Sequence, residues 1–202
     1  MSSCIWRNLL TEVDCTVIQK GGYGKQRGFG KKVALFVIDM QKDLVGLDKP
    51  IKEQITEYPM AAGERAYKSL KQIKKIIIAA KEKKIPVIYT KYKDGEFIPE
   101  LDEKDADYIV NKECDSAFYG TALQGFLVEN NIDTVLVTGA GTSTAARTTA
   151  VDAITRMYSL GFVEDALFDR ITASHKTACL DVWMKFGDVV EADSVVDYIE
   201  KM

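Results

Sequence analysis

The stretch VLVTGAGTSTAARTTAVDA (residues 135–153) decides the fold of this chain of 202 residues. An apolar run ends in GAG (139–141), and a helical pattern begins immediately after it. A strand that passes through a glycine turn into a helix brings backbone N–H groups and the positive end of a helix dipole to one point. Such a point stabilises an attacking thiolate and the oxyanion that its attack produces. The residue at this point is Ala145, and its methyl group cannot act as a nucleophile.

Strands and amphipathic helices alternate along the rest of the chain. Apolar runs predict strands over 31–39, 85–92, 108–112, 133–139 and 161–169. Apolar stripes at helical spacing predict helices in the segment after Gly141 and over 63–84, 121–131, 173–187 and 193–202. Because short links join these elements, the sequence predicts an α/β fold, a three-layer sandwich in which helices cover both faces of a central, mainly parallel sheet.

The first thirty residues stand apart from this alternation. They include the glycine-rich tract GGYGKQRGFG (21–30), which precedes the first strand, whereas a dinucleotide-binding loop follows a strand and opens a helix. We therefore predict an N-terminal arm (1–30) that packs on a neighbouring subunit or over the edge of the active site. A single domain (31–202) follows it.

The composition excludes several classes of function. A net charge of −3, with Lys and Arg scattered among acids, gives no electrostatic footprint for nucleic acid. No apolar run can span a bilayer and the N-terminus does not resemble a signal peptide, so we expect a cytoplasmic protein with no membrane partner. Four widely separated cysteines favour reduced thiols over a disulfide framework or a zinc site. The single histidine, His175, excludes sites that need two imidazoles, and we expect no metal and no other cofactor.

Three positions whose groups could take part in a reaction fall at the carboxyl ends of predicted strands: Asp39, Lys112 and the turn before Ala145. In an open parallel sheet, functional residues gather at this edge. Each position also has a structural interpretation, since Asp39 could cap the next segment, Lys112 could be a solvated cation and the glycines could only form a turn. Their coincidence at one edge predicts a site. We expect the loop 93–107 and the segment 44–60 to shape its pocket.

Three blocks of sequence carry a resemblance to a known family. They are ALFVIDMQKD (34–43), VNKECDSAFYGTAL (110–123) and VTGAGTSTAARTTAVDA (137–153), and they resemble the signature blocks of the isochorismatase-like cysteine hydrolase superfamily. The likeness extends over roughly residues 24–202. RGFGKK (27–32) and the spacing of Thr142, Ser143 and Arg147 are similar to the N-carbamoylsarcosine amidohydrolase branch. The resemblance implies an α/β hydrolase, often oligomeric, that cleaves amides, ureido groups or, in some branches, vinyl ethers.

The resemblance also implies roles for the strand-end residues. Asp39 matches the family's general base, Lys112 matches the lysine beside it, and Ala145 matches the nucleophilic cysteine. A carboxylate can take the thiol proton and later deliver it to the leaving amine. The lysine would keep Asp39 ionised and lower the pKa of the thiol.

Two further features are implied for the turn between Ala140 and Ala145. In the family a cis peptide bond precedes the nucleophile, and it corresponds here to Ala140–Gly141. Such a bond costs ~3–4 kcal/mol and persists only where its surroundings enforce it. It would turn the N–H of Gly141 toward the N–H of Ala145, so that the two form an oxyanion hole.

The same likeness implies that Arg147 binds a substrate carboxylate and that Thr142 and Ser143 donate hydrogen bonds to substrate. Alternatives remain open, because Arg147 could pair with an acid across a subunit contact and the two hydroxyls could cap the helix. The nicotinamidase branch differs in using an Asp-x-His segment and a second histidine for a metal. No histidine precedes His175 here, so the metal-dependent interpretation is poor.

Alanine at position 145 has three explanations. The first, which we favour, is an engineered Cys→Ala change that allows binding without turnover. The second is a naturally thiol-free enzyme that hydrolyses a vinyl ether with Asp39 as general acid. The third is a binding pseudoenzyme that kept the pocket. We expect a small amide or ureido compound as ligand, a homo-oligomer (dimer or tetramer), and no amidase activity from the chain as written.

Overall fold

The structure, a computed structural model, describes residues 4–202. Its strands are β1 (Val33–Ile38), β2 (Val87–Tyr92), β3 (Tyr108–Lys112), β4 (Thr134–Ala140), β5 (Ser159–Phe168) and β6 (Asp188–Val190). All their pairings are parallel, and the strands lie in the order β3-β2-β1-β4-β5-β6. The predicted parallel sheet is thereby confirmed. The sequence patterns missed β6, because three residues are too few to show a strand period.

The helices occupy the segments between the strands. They are α1 (Glu12–Gly21), α2 (Lys42–Val45), α3 (Ile51–Gln54), α4 (Glu64–Glu82), α5 (Leu123–Glu129), α6 (Arg147–Thr155), α7 (Thr172–Lys185) and α8 (Ala192–Glu200). Short 3-10 turns lie at Arg7–Leu9 and Glu103–Asp105, and a π-helical turn lies at Thr142–Ala146. The short α2 and α3 fall inside the segment 44–60 or at its edge, where the sequence predicted no helix.

The three layers follow from how β1 is buried. Every residue of β1 is buried, as expected for a strand covered on both faces. Leu35 and Val37 belong to the core that includes α4 and α8, whereas Ala34, Phe36 and Ile38 belong to the core that includes α5, α6 and α7. Alternate side chains of one strand therefore enter opposite cores, which confirms the predicted sandwich.

The N-terminal arm packs on its own chain. Trp6 is buried, and its ring centroid lies 5.6 Å from that of Trp183 in α7. The backbone N–H groups of Arg27 and Gly28 donate to the carboxylate of Asp188 in β6, at 2.9 and 2.8 Å. The arm thus runs along α7 and β6, which differs from the predicted packing over the edge of the active site.

The strand order places a crevice at one point of the sheet. β2 and β3 lie on one side of β1, and β4, β5 and β6 lie on the other side. After β3 the chain returns to the other side of β1, so the strand order switches direction between the neighbouring strands β1 and β4. Ligands bind at such switch points, outside the carboxyl ends of the strands. Asp39 follows β1 directly and Gly141 follows β4 directly.

The loop 93–107 does not overhang this crevice. Its apolar residues Phe97, Ile98 and Leu101 are buried in the core, and Phe97 forms an isolated antiparallel bridge with Gln41. The sequence showed an acidic, proline-containing loop, but these three side chains anchor it. Among residues 4–202, none of the helices combines the length and the apolar character needed to cross a membrane.

Candidate active site

Asp39 is held at the end of β1 by the neighbouring strand β2. Its backbone N–H donates to the carbonyl oxygen of Thr90 at 3.1 Å, and the Thr90 hydroxyl donates to Oδ1 of Asp39 at 2.6 Å. Asp39 has a left-handed φ of 45°, an unusual conformation for a residue other than glycine. The contacts to Thr90 enforce this conformation, so the carboxylate points in one direction at the crevice.

Lys112 reaches the same carboxylate from the end of β3. Its Nζ lies 2.6 Å from Oδ2 of Asp39 and 3.1 Å from the carbonyl oxygen of Cys114. Both side chains of the pair are almost fully buried, with exposed fractions of 3% for Asp39 and 0% for Lys112. Buried charges require such pairing, because an isolated ion loses its hydration without compensation. The structure thus brings together two of the predicted site residues that are 73 positions apart.

Burial has the largest effect on the acidity of Asp39. It raises the pKa of this carboxyl above its ordinary value, because the ionised form loses solvation. The charge and hydrogen bond of Lys112 and the hydroxyl of Thr90 act in the opposite direction, and the nearby charge of Asp115 raises the pKa further. A carboxylate of raised pKa is a stronger base than an ordinary aspartate, and this suits it to take a proton from a weak acid.

The turn after β4 depends on two glycines. Gly139 has a φ of 101°, and a Cβ at this position would lie 2.2 Å from the carbonyl oxygen of Ile38 in β1. Gly141 has a φ of 66° and accepts a hydrogen bond from the N–H of Ala146 at 3.1 Å. This i to i+5 bond defines a π-helical turn, a feature that often occurs at functional sites. Ala145 lies in the turn and is 5% exposed.

The predicted cis peptide bond between Ala140 and Gly141 is wrong. The part of the chain from residue 4 to 202 contains no cis peptide bond. The left-handed conformation of Gly141 reverses the chain at this point, and glycine adopts it without steric cost. The trans bond therefore avoids the ~3–4 kcal/mol of a non-proline cis bond. The predicted orientation of the Gly141 N–H, which depended on the cis bond, loses its basis.

A cavity of about 250 Å³ opens at the switch point between β1 and β4. Both Asp39 and Ala145 line it. The other lining residues are Leu44, Met60, Ala62, Tyr92, Asp115, Ala140, Gly141, Thr144, Phe168, Asp169 and Arg170. Leu44 and Met60 come from the predicted pocket segment 44–60, whereas no residue of the loop 93–107 reaches this cavity.

The three predicted substrate-binding residues lie outside this cavity. The hydroxyl of Thr142 is 2.8 Å from Nδ1 of His175, and the hydroxyl of Ser143 donates to Asp169 at 2.7 Å. The guanidinium of Arg147 donates to Asp181 of the same chain through Nε, at 3.0 Å, and through Nη2. These partners fasten the π-helical turn and α6 to β5 and α7. The turn presents Thr144 to the cavity instead.

Sequence reasoning missed three charged residues of the cavity: Asp169, which binds Ser143, and also Arg170 and Asp115. Arg170 comes just after β5, is half-buried, and has no ion pair with any residue from 4 to 202. Asp115 follows Lys112 by three positions and is exposed. Both stand just beyond the carboxyl ends of strands, so the rule that identified Asp39 and Lys112 would also have found them.

Comparisons with known proteins agree with this geometry. The family profile described as the isochorismatase domain matches residues 33–194. The N-carbamoylsarcosine amidase of an Arthrobacter species is 37% identical over 98 residues, which are 48% of this chain and only 37% of that enzyme. The maleamate amidohydrolase of Pseudomonas putida is 23% identical over 210 residues, covering 91% of this chain and 94% of that enzyme.

Solved structures show the same architecture. The N-carbamoylsarcosine amidase from Thermoplasma acidophilum superposes with a TM-score of 0.66 and 28% identity, covering 81% of this chain and 98% of that one. A cysteine hydrolase from Pseudomonas syringae superposes with a TM-score of 0.74 and 22% identity, covering 84% of this chain and 93% of that one. At the latter identity the likeness concerns the fold alone.

Proposed function

This chain belongs to the isochorismatase family, and from that premise we propose that it is an amidohydrolase of small carbamoyl, ureido or amide compounds whose nucleophile position, residue 145, holds alanine. The observation that carries the proposal is the cavity lined by both the Ala145 methyl group and the carboxylate of the buried Asp39–Lys112 pair. Two relatives with amidase names support the class of bond. Ammonia release from small amides by an Ala145→Cys variant tests the proposal.

Asp39, Lys112 and residue 145 each have a role in the proposed reaction. With cysteine at 145, Asp39 takes the thiol proton and the thiolate attacks the amide carbonyl carbon. The backbone N–H of residue 145, at the start of the helical segment, stabilises the resulting oxyanion. The C–N bond breaks as Asp39 returns the proton to the leaving amine, and a thioester remains. Asp39 then takes a proton from water, whose oxygen displaces the thiolate and releases the acid. Lys112 holds the carboxylate in place throughout.

Arg170 is the residue that we propose to bind a carboxylate of the substrate. Its guanidinium has no ion pair with the described residues, whereas Arg147 is neutralised by Asp181. Arg170→Gln is expected to raise the dissociation constant of succinamate by about tenfold or more, because a hydrogen bond to a charged group contributes ~1.5–3 kcal/mol. Titration calorimetry on the chain as written measures this binding without turnover.

The matched comparison for this measurement is Arg147→Gln, which removes an arginine that lies outside the cavity. It is expected to have a much smaller effect on succinamate binding than Arg170→Gln. The opposite ranking would contradict the assignment and return the carboxylate-binding role to Arg147.

A second candidate function, vinyl-ether hydrolysis, is favoured by one observation. Burial raises the pKa of Asp39, so this carboxyl is more readily protonated than an ordinary aspartate. It could then act as a general acid in a cavity where position 145 carries no thiol. For this function the chain as written is expected to release pyruvate from isochorismate, and Asp39→Ala to abolish the release. A coupled pyruvate assay measures it, with Asp94→Asn, a change at an exposed loop carboxylate, as control. No pyruvate from the unmodified chain would exclude this candidate.

A further inference from the structure

We infer that Asp115 is a specificity-determining residue that selects substrates carrying a cationic group, such as an ammonium, in addition to the carboxylate bound by Arg170. The inference rests on the proposed function and names the substrate class of the same cavity. It follows from the charges that line the cavity, from where they enter it, and from the size of the space between them.

Two of the four charged side chains that line the cavity already have partners within the protein. Asp39 pairs with Lys112 at 2.6 Å. Asp169 accepts hydrogen bonds from the backbone N–H of Ser143 at 3.0 Å and from its hydroxyl at 2.7 Å. The charge of Asp39 is therefore compensated by Lys112, and the carboxylate of Asp169 holds the π-helical turn.

The other two side chains, Asp115 and Arg170, have opposite charges and no charged partner. In the described part of the chain, neither side chain takes part in an ion pair or a hydrogen bond. The charge of Asp115 nonetheless reaches the reacting centre, since it raises the pKa of Asp39. A cation bound at Asp115 would thus lie near the carboxylate that handles protons.

Asp115 and Arg170 enter the cavity from opposite sides. Asp115 follows β3, on the side of β1 away from β4, and Arg170 follows β5, on the side of β4 away from β1. Between them lie Asp39, directly after β1, and Ala145, in the π-helical turn after β4. A substrate whose amide faces Ala145 can therefore place a carboxylate at Arg170 and a cation at Asp115 simultaneously.

The size of the cavity limits this substrate to a small molecule. A volume of about 250 Å³ holds about eight water-sized groups, at about 30 Å³ for each. A zwitterionic compound with one amide between its charges has about this number of non-hydrogen atoms. Glycylglycine has this pattern, and N-propionylglycine is its match in size with a methyl group in place of the ammonium.

The experiment compares the dissociation constants of these two probes by titration calorimetry on the chain as written. We expect glycylglycine to bind about fivefold more tightly than N-propionylglycine, the upper range for an ion pair with an exposed carboxylate. Asp115→Asn is expected to remove this preference by weakening the binding of glycylglycine and leaving the binding of N-propionylglycine unchanged. Asp94→Asn removes an exposed carboxylate of the loop 93–107 and is expected to retain the preference.

An Asp115→Asn protein that keeps the preference, or an unmodified chain that lacks it, overturns the inference. If N-propionylglycine binds in an Arg170-dependent way while Asp115→Asn changes nothing, only the role of Asp115 fails. If neither probe binds, the inference fails, and amide hydrolysis by the Ala145→Cys variant decides separately whether the proposed function fails with it.

Discussion

Ala145→Cys is expected to convert this chain from a binding protein into an amidase, with a gain of about 10⁶-fold in turnover, the factor lost when the covalent nucleophile is removed from a hydrolase. The change replaces one hydrogen of a methyl group by a thiol group, at a buried position that lines the same cavity as Asp39. The base of the reaction is already oriented by Thr90 and Lys112. Ammonia release from succinamate and from N-carbamoylglycine measures the gain.

The matched control is Ala145→Ser, which adds an oxygen of similar size at the same atom. A serine hydroxyl has a pKa far above that of a thiol, so Asp39 cannot activate it well, and we expect little or no hydrolysis. A folded Ala145→Cys protein that hydrolyses no member of a broad amide panel would contradict the amidase assignment. Binding without hydrolysis in that variant would favour the pseudoenzyme.

Lys112→Met is expected to lower the free energy of unfolding by about 3–5 kcal/mol, the cost of leaving one partner of a buried ion pair alone. Methionine fills much of the volume of the lysine stem, so the loss reports the missing charge more than a cavity. The carboxylate of Asp39 would keep its hydrogen bond from Thr90 and lose its only ion pair within residues 4–202. Urea denaturation measures the change.

The control for this effect is the double variant Asp39→Asn with Lys112→Met, in which no charge stays buried. Asparagine tolerates the left-handed φ of position 39. We expect the double variant to be more stable than Lys112→Met alone, and a double variant that loses the sum of both single effects would contradict the ion-pair explanation.

The pH dependence of Lys112→Met provides a second check. Burial already raises the pKa of Asp39, and the variant lacks the cation that opposes this effect. At pH values between the pKa of Asp39 in the unfolded chain and its higher pKa in the folded protein, the folded state binds more protons than the unfolded state. The free energy of unfolding therefore decreases as the pH rises through this window. The destabilisation of the variant relative to the parent chain should therefore be smaller at about pH 5 than at about pH 8. A loss that is independent of pH would contradict the role of Asp39.

The placement of Asp39 and Lys112 could be predicted because it depends on local patterns and one general rule. Buried strands leave continuous apolar runs in the sequence, and parallel strands end at a common edge. Residues that follow such runs must therefore meet there, however far apart they are in the chain. The glycine turn before Ala145 is also visible locally, as GAG between an apolar run and a helical pattern, although its reason is tertiary: Gly139 approaches β1 too closely for a side chain.

The sequence did not predict which way the turn presents its side chains. The π-helical turn shifts the hydrogen-bond register, so that Thr144 lines the cavity while Ser143 binds Asp169, 26 residues away in the chain. Likewise, Arg147 finds Asp181 at a separation of 34 residues. No pattern within a single segment records such partners.

The amino-acid sequence by itself determined the parallel sandwich, the edge of the sheet that holds the site, and the meeting of Asp39 and Lys112 with Ala145. The tertiary structure alone decided that the Ala140–Gly141 bond is trans and that Arg170, rather than Arg147, faces the cavity. The physical reason is that the spacing of apolar residues, which predicts strands, helices and their buried faces, is a property of each segment by itself. Which charges stay unpaired depends on the partners that all the other segments bring within reach.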